Sequence, residues 1–325
     1  MKKTLTVISI IAVAAVAAGT LMLLASWSLG TAGAVSLGRD GLRVTHSDVV
    51  STLSMREIEG VTSLKVDAVS ADVTCIPAQD FGFEIRTYAG EPAWRLEDGV
   101  LLVDELRHDT GIFNFSLPWR DTDDAGTYIK IYYPQGSALD VLSITNVSGD
   151  IKFPGLDGAV REAVFATSDG DIDVSSLKAD ALTLRTVSGH IQTRGARAAR
   201  TTLDTSSGEV ALADFSGALD AQTVSGDIEI SAADIAFQIT SASGDVDVAA
   251  ETLSGRISAV SGNVGVAAAP REGDLSYSVR TVSGAIVADG RRFSRFAQSA
   301  QGGPYDLDID TTSGNVLLTC EATPG

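Results

Sequence analysis

The sequence predicts an all-β, repeat-built parallel β-solenoid (a β-helix-like stack) with a β-rich N-terminal cap, preceded by one N-terminal transmembrane helix. Three observations predict it. The first is a five-residue phrase repeated nine times, as V-S-G-D-I at 147–151, S-D-G-D-I at 168–172, V-S-G-H-I at 187–191 and S-S-G-E-V at 206–210. It continues as V-S-G-D-I at 224–228, A-S-G-D-V at 242–246, V-S-G-N-V at 260–264, V-S-G-A-I at 282–286 and T-S-G-N-V at 312–316. Its glycines are Gly149, Gly170, Gly189, Gly208, Gly226, Gly244, Gly262, Gly284 and Gly314, and the intervals between them run 21, 19, 19, 18, 18, 18, 22 and 30. So short and steady a period belongs to a stacked array. The second observation is period-two alternation after each glycine, as in Ile228/Ile230 against Asp227/Glu229, which buries one face of a strand. The third is that nothing beyond residue 35 sustains a 3.6-residue period.

Taken in order, residues 1–30 read as a membrane anchor. Lys2 and Lys3 precede an almost unbroken apolar run from Leu5 to Leu24, about the 20 residues a bilayer needs. The lysines place the amino end in the cytoplasm, and Trp27 falls at the outer interface. A cleaved signal peptide is the competing reading, because Ala32-Gly33-Ala34 resembles a small-residue cleavage site. Under either reading the bulk of the chain is extracytoplasmic. Residues 31–60 read as a polar linker, and 61–142 as a β-rich cap with alternation at Leu64/Val66, Val73/Cys75, Phe81/Phe83/Ile85 and Ile129/Ile131/Tyr133. Val69-Ser70-Ala71-Asp72-Val73 resembles a degenerate tenth copy of the phrase, with alanine in place of glycine. End units of a stack must differ, because an open end exposes apolar surface and unpaired backbone.

Residues 143–320 form the repeats, and 321–325 a tail. Five residues before each glycine stands an apolar residue such as Ile144, Phe165, Leu184 or Leu203; three before usually stands Thr or Ser, as at Thr167, Thr186 and Thr205. Each unit is therefore two strands of about five or six residues, bent at Ser-Gly. Antiparallel hairpins also accommodate this unit, with Ser-Gly as the turn. Like residues at one offset through nine units favour direct stacking, in which the Thr/Ser column would hydrogen-bond along the array.

The chain has 325 residues and a formal charge of −18, which argues against nucleic acid and against anionic lipid docking on its body. Its two cysteines make no disulfide framework. Cys75 and Cys320 both read as inward-facing small hydrophobes at opposite ends of the array, about 40 Å apart if nine layers are spaced at about 4.8 Å.

Several features together resemble the DUF4097 family: V-S-A-D-V near the start, Tyr132-Tyr133-Pro134, the tandem S-G-D-I phrases, and the closing run from Gly303 to Gly314. The resemblance covers roughly residues 61–320. It implies a bacterial envelope protein with a β-strand repeat fold and a surface location, in a family that carries an adhesin label. It implies no catalytic residues.

The clearest chemical pattern is the acidic row after the glycines: Asp150, Asp171, Glu209, Asp227 and Asp245. Stacked carboxylates suit Ca²⁺, a hard cation that prefers oxygen. Asp after Ser-Gly is also ordinary turn chemistry on a solvated face, and His190, Asn263, Ala285 and Asn315 interrupt any ligand ladder. The glycines read as structural bends needing positive φ, not as phosphate cradles. Two segments break the pattern. Glu105–Gly126 carries Phe113, Phe115 and Trp119, either a partner or membrane contact or a hairpin folded on the cap. Arg291–Gly303 gathers Arg291, Arg292 and Arg295, either an anionic-ligand site or a loop closing the core with its phenylalanines. His46, His108 and His190 stand in unrelated contexts, and no nucleophile, phosphate-loop or metalloprotease motif occurs.

These readings converge on a membrane-anchored extracytoplasmic binder without cofactor or metal, held in the membrane by its N-terminal helix. It would act as an adhesin or envelope scaffold on an unknown extracellular or envelope ligand. The alternatives are an envelope-stress sensor or regulator binding a lipid, peptide or membrane partner, and a glycan-active enzyme.

Overall fold

The computed structural model describes residues 33–38, 41–45, 50–88, 90–106, 113–117, 126–271, 274–299 and 302–321. Among these residues every regular element is a β-strand. Residues 1–30, where the membrane helix is expected, lie outside them. The chain divides into two units, one comprising residues 1–48 and 110–124, the other residues 49–109 and 125–325. In the first, strand Gly33–Gly38 pairs antiparallel with both Gly41–Thr45 and Phe113–Leu117.

The second unit is the stack. Each coil contributes one strand before the Ser-Gly bend and one after it, and both pair in parallel with their counterparts in the neighbouring coils. Before the bend, Ile144, Phe165, Leu184, Leu203, Ala221, Ile239 and Ile257 stand in consecutive register. After it the register runs Ile151, Ile172, Ile191, Val210, Ile228, Val246 and Val264. All fourteen are buried. The two columns face each other across a narrow interior, where β-branched side chains fill the pleat well. Each fully buried Val or Ile contributes roughly 1.5–3 kcal/mol. The antiparallel hairpin alternative is thereby excluded.

The phrase glycines form the corner. Their φ angles lie between +124° at Gly244 and +159° at Gly170, a region L side chains rarely adopt. Packing excludes a side chain as well: a Cβ on Gly208 would fall 1.9 Å from the Gly189 carbonyl oxygen. Positive φ at Gly155, Ser176, Gly195 and Asp214 turns the chain at the opposite corner.

Chain order and stacking order part company at the C-terminal end. Strand Tyr305–Ser313 lies between Val246–Ser261 and Leu275–Ser283, and Val316–Glu321 lies between Val264–Arg271 and Ile286–Ala288. The Gly314 coil is therefore inserted between the Gly262 and Gly284 coils. The glycine contacts give the same order, since a Cβ on Gly314 would meet the Gly262 carbonyl and one on Gly284 would meet the Gly314 carbonyl. Cys320 is accordingly in the penultimate coil and is half-buried, whereas Cys75, in the first coil, is fully buried. About eight layers separate them, some 38 Å at about 4.8 Å per layer.

Both ends are closed. At the N-terminal end Ser63–Asp67 and Asp72–Ala78 form the first true coil, in register with Leu139–Thr145 and Ile151–Phe153. Repeats thus begin inside the expected cap, not at residue 143. Val100–Asp104 covers the first of these strands and Tyr128–Pro134 the second. Phe81–Thr87 and then Ser51–Ile58 extend the cover antiparallel. The expected linker at 31–60 therefore carries three strands, Gly33–Gly38, Gly41–Thr45 and Ser51–Ile58. Alternation is weak in Ser51–Ile58 because only Ile58 is buried, as suits an outermost strand. At the other end Arg291–Phe293 and Phe296–Gln298 pair antiparallel with the last coil's two strands. These covers are three residues each, short enough to present little open edge.

Candidate binding surfaces

Side chains run along the outside of the stack in columns set by the parallel register. The residues that follow the glycines make a ladder of side chain to backbone bonds. The amide of Asp150 donates to Asp72 Oδ1 (2.9 Å), Asp171 to Asp150 (3.0 Å) and His190 to Asp171 (2.7 Å). The Glu209 amide donates to His190 Nδ1 at 3.2 Å. Further along, Asp245 donates to Asp227 (2.8 Å), Asn263 to Asp245 (2.6 Å), Asn315 to Asn263 (3.1 Å) and Ala285 to Asn315 (3.0 Å). Asp, Asn and His serve alike because each carries an acceptor at that reach. Ala285 can lack one because its coil is outermost. One oxygen of each bonding carboxylate thus accepts an amide of the next layer, a contact between coils beyond a local turn. Among the described residues no group of three or more acids, histidines or cysteines is arranged to hold a metal.

The Thr/Ser column behaves partly as expected. Thr167, Thr186 and Thr281 donate to the glycine carbonyl of the preceding layer at 3.3–3.4 Å. Thr205 instead bonds within its own coil, to the Ser207 carbonyl.

Around the ladder the outer face after the bend is acidic. Across the nine coils that carry the phrase, its first two outward columns hold eight carboxylates and one lysine, Lys152. Burial, reinforced by the charges of Asp245, Glu229 and Asp227, holds the Asp247 carboxyl above the usual range. The face before the bend is close to neutral. Its three outward columns nearest the bend hold four aspartates, Asp204, Asp220, Asp308 and Asp310, and three arginines. Arg185 pairs with Asp204 at 2.7 Å, Arg256 with Asp308, and Arg280 with Asp310 at 3.5 Å. The column nearest the bend carries no charge. In stacking order it reads Val147, Ser168, Val187, Ser206, Val224, Ala242, Val260, Thr312, Val282, alternating valine with serine, alanine or threonine. Val187, Val224, Val260 and Val282 are 47%, 51%, 56% and 69% exposed. Read in chain order the alternation fails at its end, which is why the sequence hid it.

Glu105 opens the segment expected to be a contact loop, and it is wholly buried. Its Oε2 accepts the amides of Val69, Ser70 and Ala71 at 2.6, 2.8 and 3.1 Å, and its Oε1 accepts the hydroxyls of Ser70 (2.9 Å) and Thr87 (2.7 Å). The carboxylate stands where another coil would continue the stack. The only sequence signal for it is an acid directly following the apolar strand Val100–Asp104. Phe113 and Phe115 lie on a strand paired antiparallel with Gly33–Gly38; Trp119 lies outside the described residues. Arg291, Arg292 and Arg295 are exposed on the C-terminal cover. There Phe293 packs against the core, but Phe296 is 47% exposed and Ala297 is the residue turned inward, correcting the expectation that both phenylalanines close the core. A trough of about 1120 Å³ follows the corner opposite the glycines, floored largely by Ala232, Ala250, Ala268 and Phe215.

A parallel stack with its side chains aligned in columns defines a β-repeat protein whose surfaces are its outer faces. The chain belongs to the DUF4097 family, whose model, described as Toastrack DUF4097, matches residues 61–319. No curated protein matches. Among solved structures, a "putative adhesin" of Parabacteroides distasonis is 13% identical over 83% of this chain and 97% of its own, with a TM-score of 0.47. A "putative adhesin" of Bacteroides fragilis is 12% identical over 84% and 99%, with a TM-score of 0.42. A "Putative lipid binding protein" of P. distasonis is 12% identical over 85% and 98%, with a TM-score of 0.34.

Proposed function

We propose that this chain acts by binding, as a membrane-anchored extracytoplasmic adhesin or envelope scaffold that presents its outer columns to a ligand. The observation that carries the reading is the parallel register, which brings outward positions of successive layers into regularly spaced columns joined by the Asp/Asn ladder, a surface that suits an extended ligand. The apolar run Leu5–Leu24 supports a membrane anchor. The adhesin label shared by solved proteins of similar fold agrees with a binding role and adds no ligand. Catalysis has little support, because the described acids are engaged in rungs or spread along a solvated face.

A second reading, an envelope sensor or regulator that takes up an anionic headgroup or peptide, is favoured by Arg291, Arg292 and Arg295 at the C-terminal cover. One experiment separates the two. Cells expressing the full chain, with or without Arg291, Arg292 and Arg295 changed to Glu, are scored for surface attachment and for envelope-stress output. Adhesion predicts attachment that requires the full chain. A variant that alters stress output while even the wild-type chain supports no attachment removes the adhesin reading.

A further inference from the structure

We propose that the neutral outer face before the bend is a self-association surface on which a second copy of this chain docks back to back. The inference goes beyond the proposed function, since it holds whatever ligand the remaining surface takes. Three observations carry it. The first is the self-complementary column: valine alternates with Ser168, Ser206, Ala242 and Thr312 through nine layers, so valines project about every 9.6 Å with a recess at each serine and alanine between them. Two such columns running in opposite directions and offset by one layer place Val224, Val260 and Val282 over Ala242, Ser206 and Ser168 of the other copy, and Val187 over Thr312. Val224 then faces the second copy's counterpart of Ala242 near the two-fold axis, the isologous arrangement that closed dimers use.

Charge is the second observation. On a chain of formal charge −18, the face after the bend concentrates eight carboxylates against one lysine. The neutral face already pairs Arg185, Arg256 and Arg280 with aspartates of the same molecule. A second copy of an acidic chain meets least repulsion here, and a cationic partner would be drawn to the other face. Area is the third. Nine layers at about 4.8 Å and strand segments about 20 Å wide give roughly 850 Å² per copy, near the ~800 Å² each partner buries in a stable complex. Val224 and Val260 are half-exposed β-branched residues with no role in the core, so the fold does not need their apolar side chains at these positions.

The test is the mass of the full chain in solution, measured by sedimentation in detergent because of the apolar run Leu5–Leu24. Wild-type chain is expected to sediment as two copies at micromolar concentration. Val224→Glu with Val260→Glu is expected to weaken the association at least tenfold while circular dichroism and thermal midpoint stay close to wild type. Gln192→Glu, a single such charge on the acidic face, is expected to leave the mass unchanged. The N-terminal segment is identical in all three chains, so a dimer held by that segment would survive the double change and overturn the proposal. A wild-type chain that stays single across the range overturns it too. So does a single wild-type chain that binds neutral lipid vesicles through Val224 and Val260, which would make the row a lipid contact.

Discussion

At Gly208 a single hydrogen stands where any other residue brings a Cβ 1.9 Å from the Gly189 carbonyl oxygen, on a backbone with φ of +126°. Steric overlap and left-handed strain act together there. Gly208→Ala is expected to cost about 3 kcal/mol or more in urea unfolding. Gly136→Ala, with nothing near its Cβ position, should stay within about 0.5 kcal/mol. Glu105 makes the converse point, that one side chain can replace a missing layer. Glu105→Ala removes the acceptor of three amides at the first bend, and a drop of about 3 kcal/mol or more in unfolding free energy is expected. Asp247 gives a pH signature. Its carboxyl titrates above the usual range when folded, so its charged form opposes folding at neutral pH, and that penalty lifts as pH falls through the raised value. Asp247→Asn should therefore be more stable than wild type at pH 7, with the difference vanishing below the ordinary carboxylate range. An unchanged difference across that window would contradict the assignment.

At the level of the strand and its bend, each rung of the ladder is a separable contribution. Asp227→Ala deletes the acceptor for the Asp245 amide and is expected to cost about 1 kcal/mol, whereas Asp227→Asn keeps an acceptor and should cost less. Calcium at millimolar concentration should not shift the thermal midpoint of wild type, because an oxygen of each ladder carboxylate is already bonded; a clear upward shift would restore the metal reading. The two-strand unit, its inward Val/Ile columns and the bend were legible because period-two alternation and Gly at positive φ leave direct marks on the sequence. The ladder was not. An Asp after Ser-Gly looks the same whether it faces water or the amide of the next coil, and only the stacking register tells them apart. Likewise Ser51–Ile58 read as linker because an outermost strand buries too little to impose a pattern.

Across the whole stack, the departures from the repeat mark its ends. Ala71 replaces glycine in the first coil, where Glu105 and not a preceding glycine carbonyl lies at the bend. Ala285 replaces the ladder residue in the last coil, where no amide awaits an acceptor. Chain order hid the second of these, because the coil bearing Ala285 is eighth of the nine phrases in sequence and last in space. The 30-residue interval between Gly284 and Gly314 had a physical reason that spacing alone did not reveal. After covering the end of the stack with Arg291–Phe293 and Phe296–Gln298, the chain must pass back beneath its own last coil.

Everything rests on that parallel, reordered stack, and engineered disulfides test it directly. Ser261 and Ser313 are register neighbours, as are Ser283 and Ser313, whereas Ser261 and Ser283 lie two layers apart. With about 4.8 Å per layer, only the first two pairs fall within the roughly 4.4–6.8 Å a disulfide bridges. Cysteine pairs at 261/313 and 283/313 are expected to oxidise readily, and the pair at 261/283 to remain reduced. Ready oxidation at 261/283 with none at 261/313 would mean the coils stack in chain order, and the account would fail.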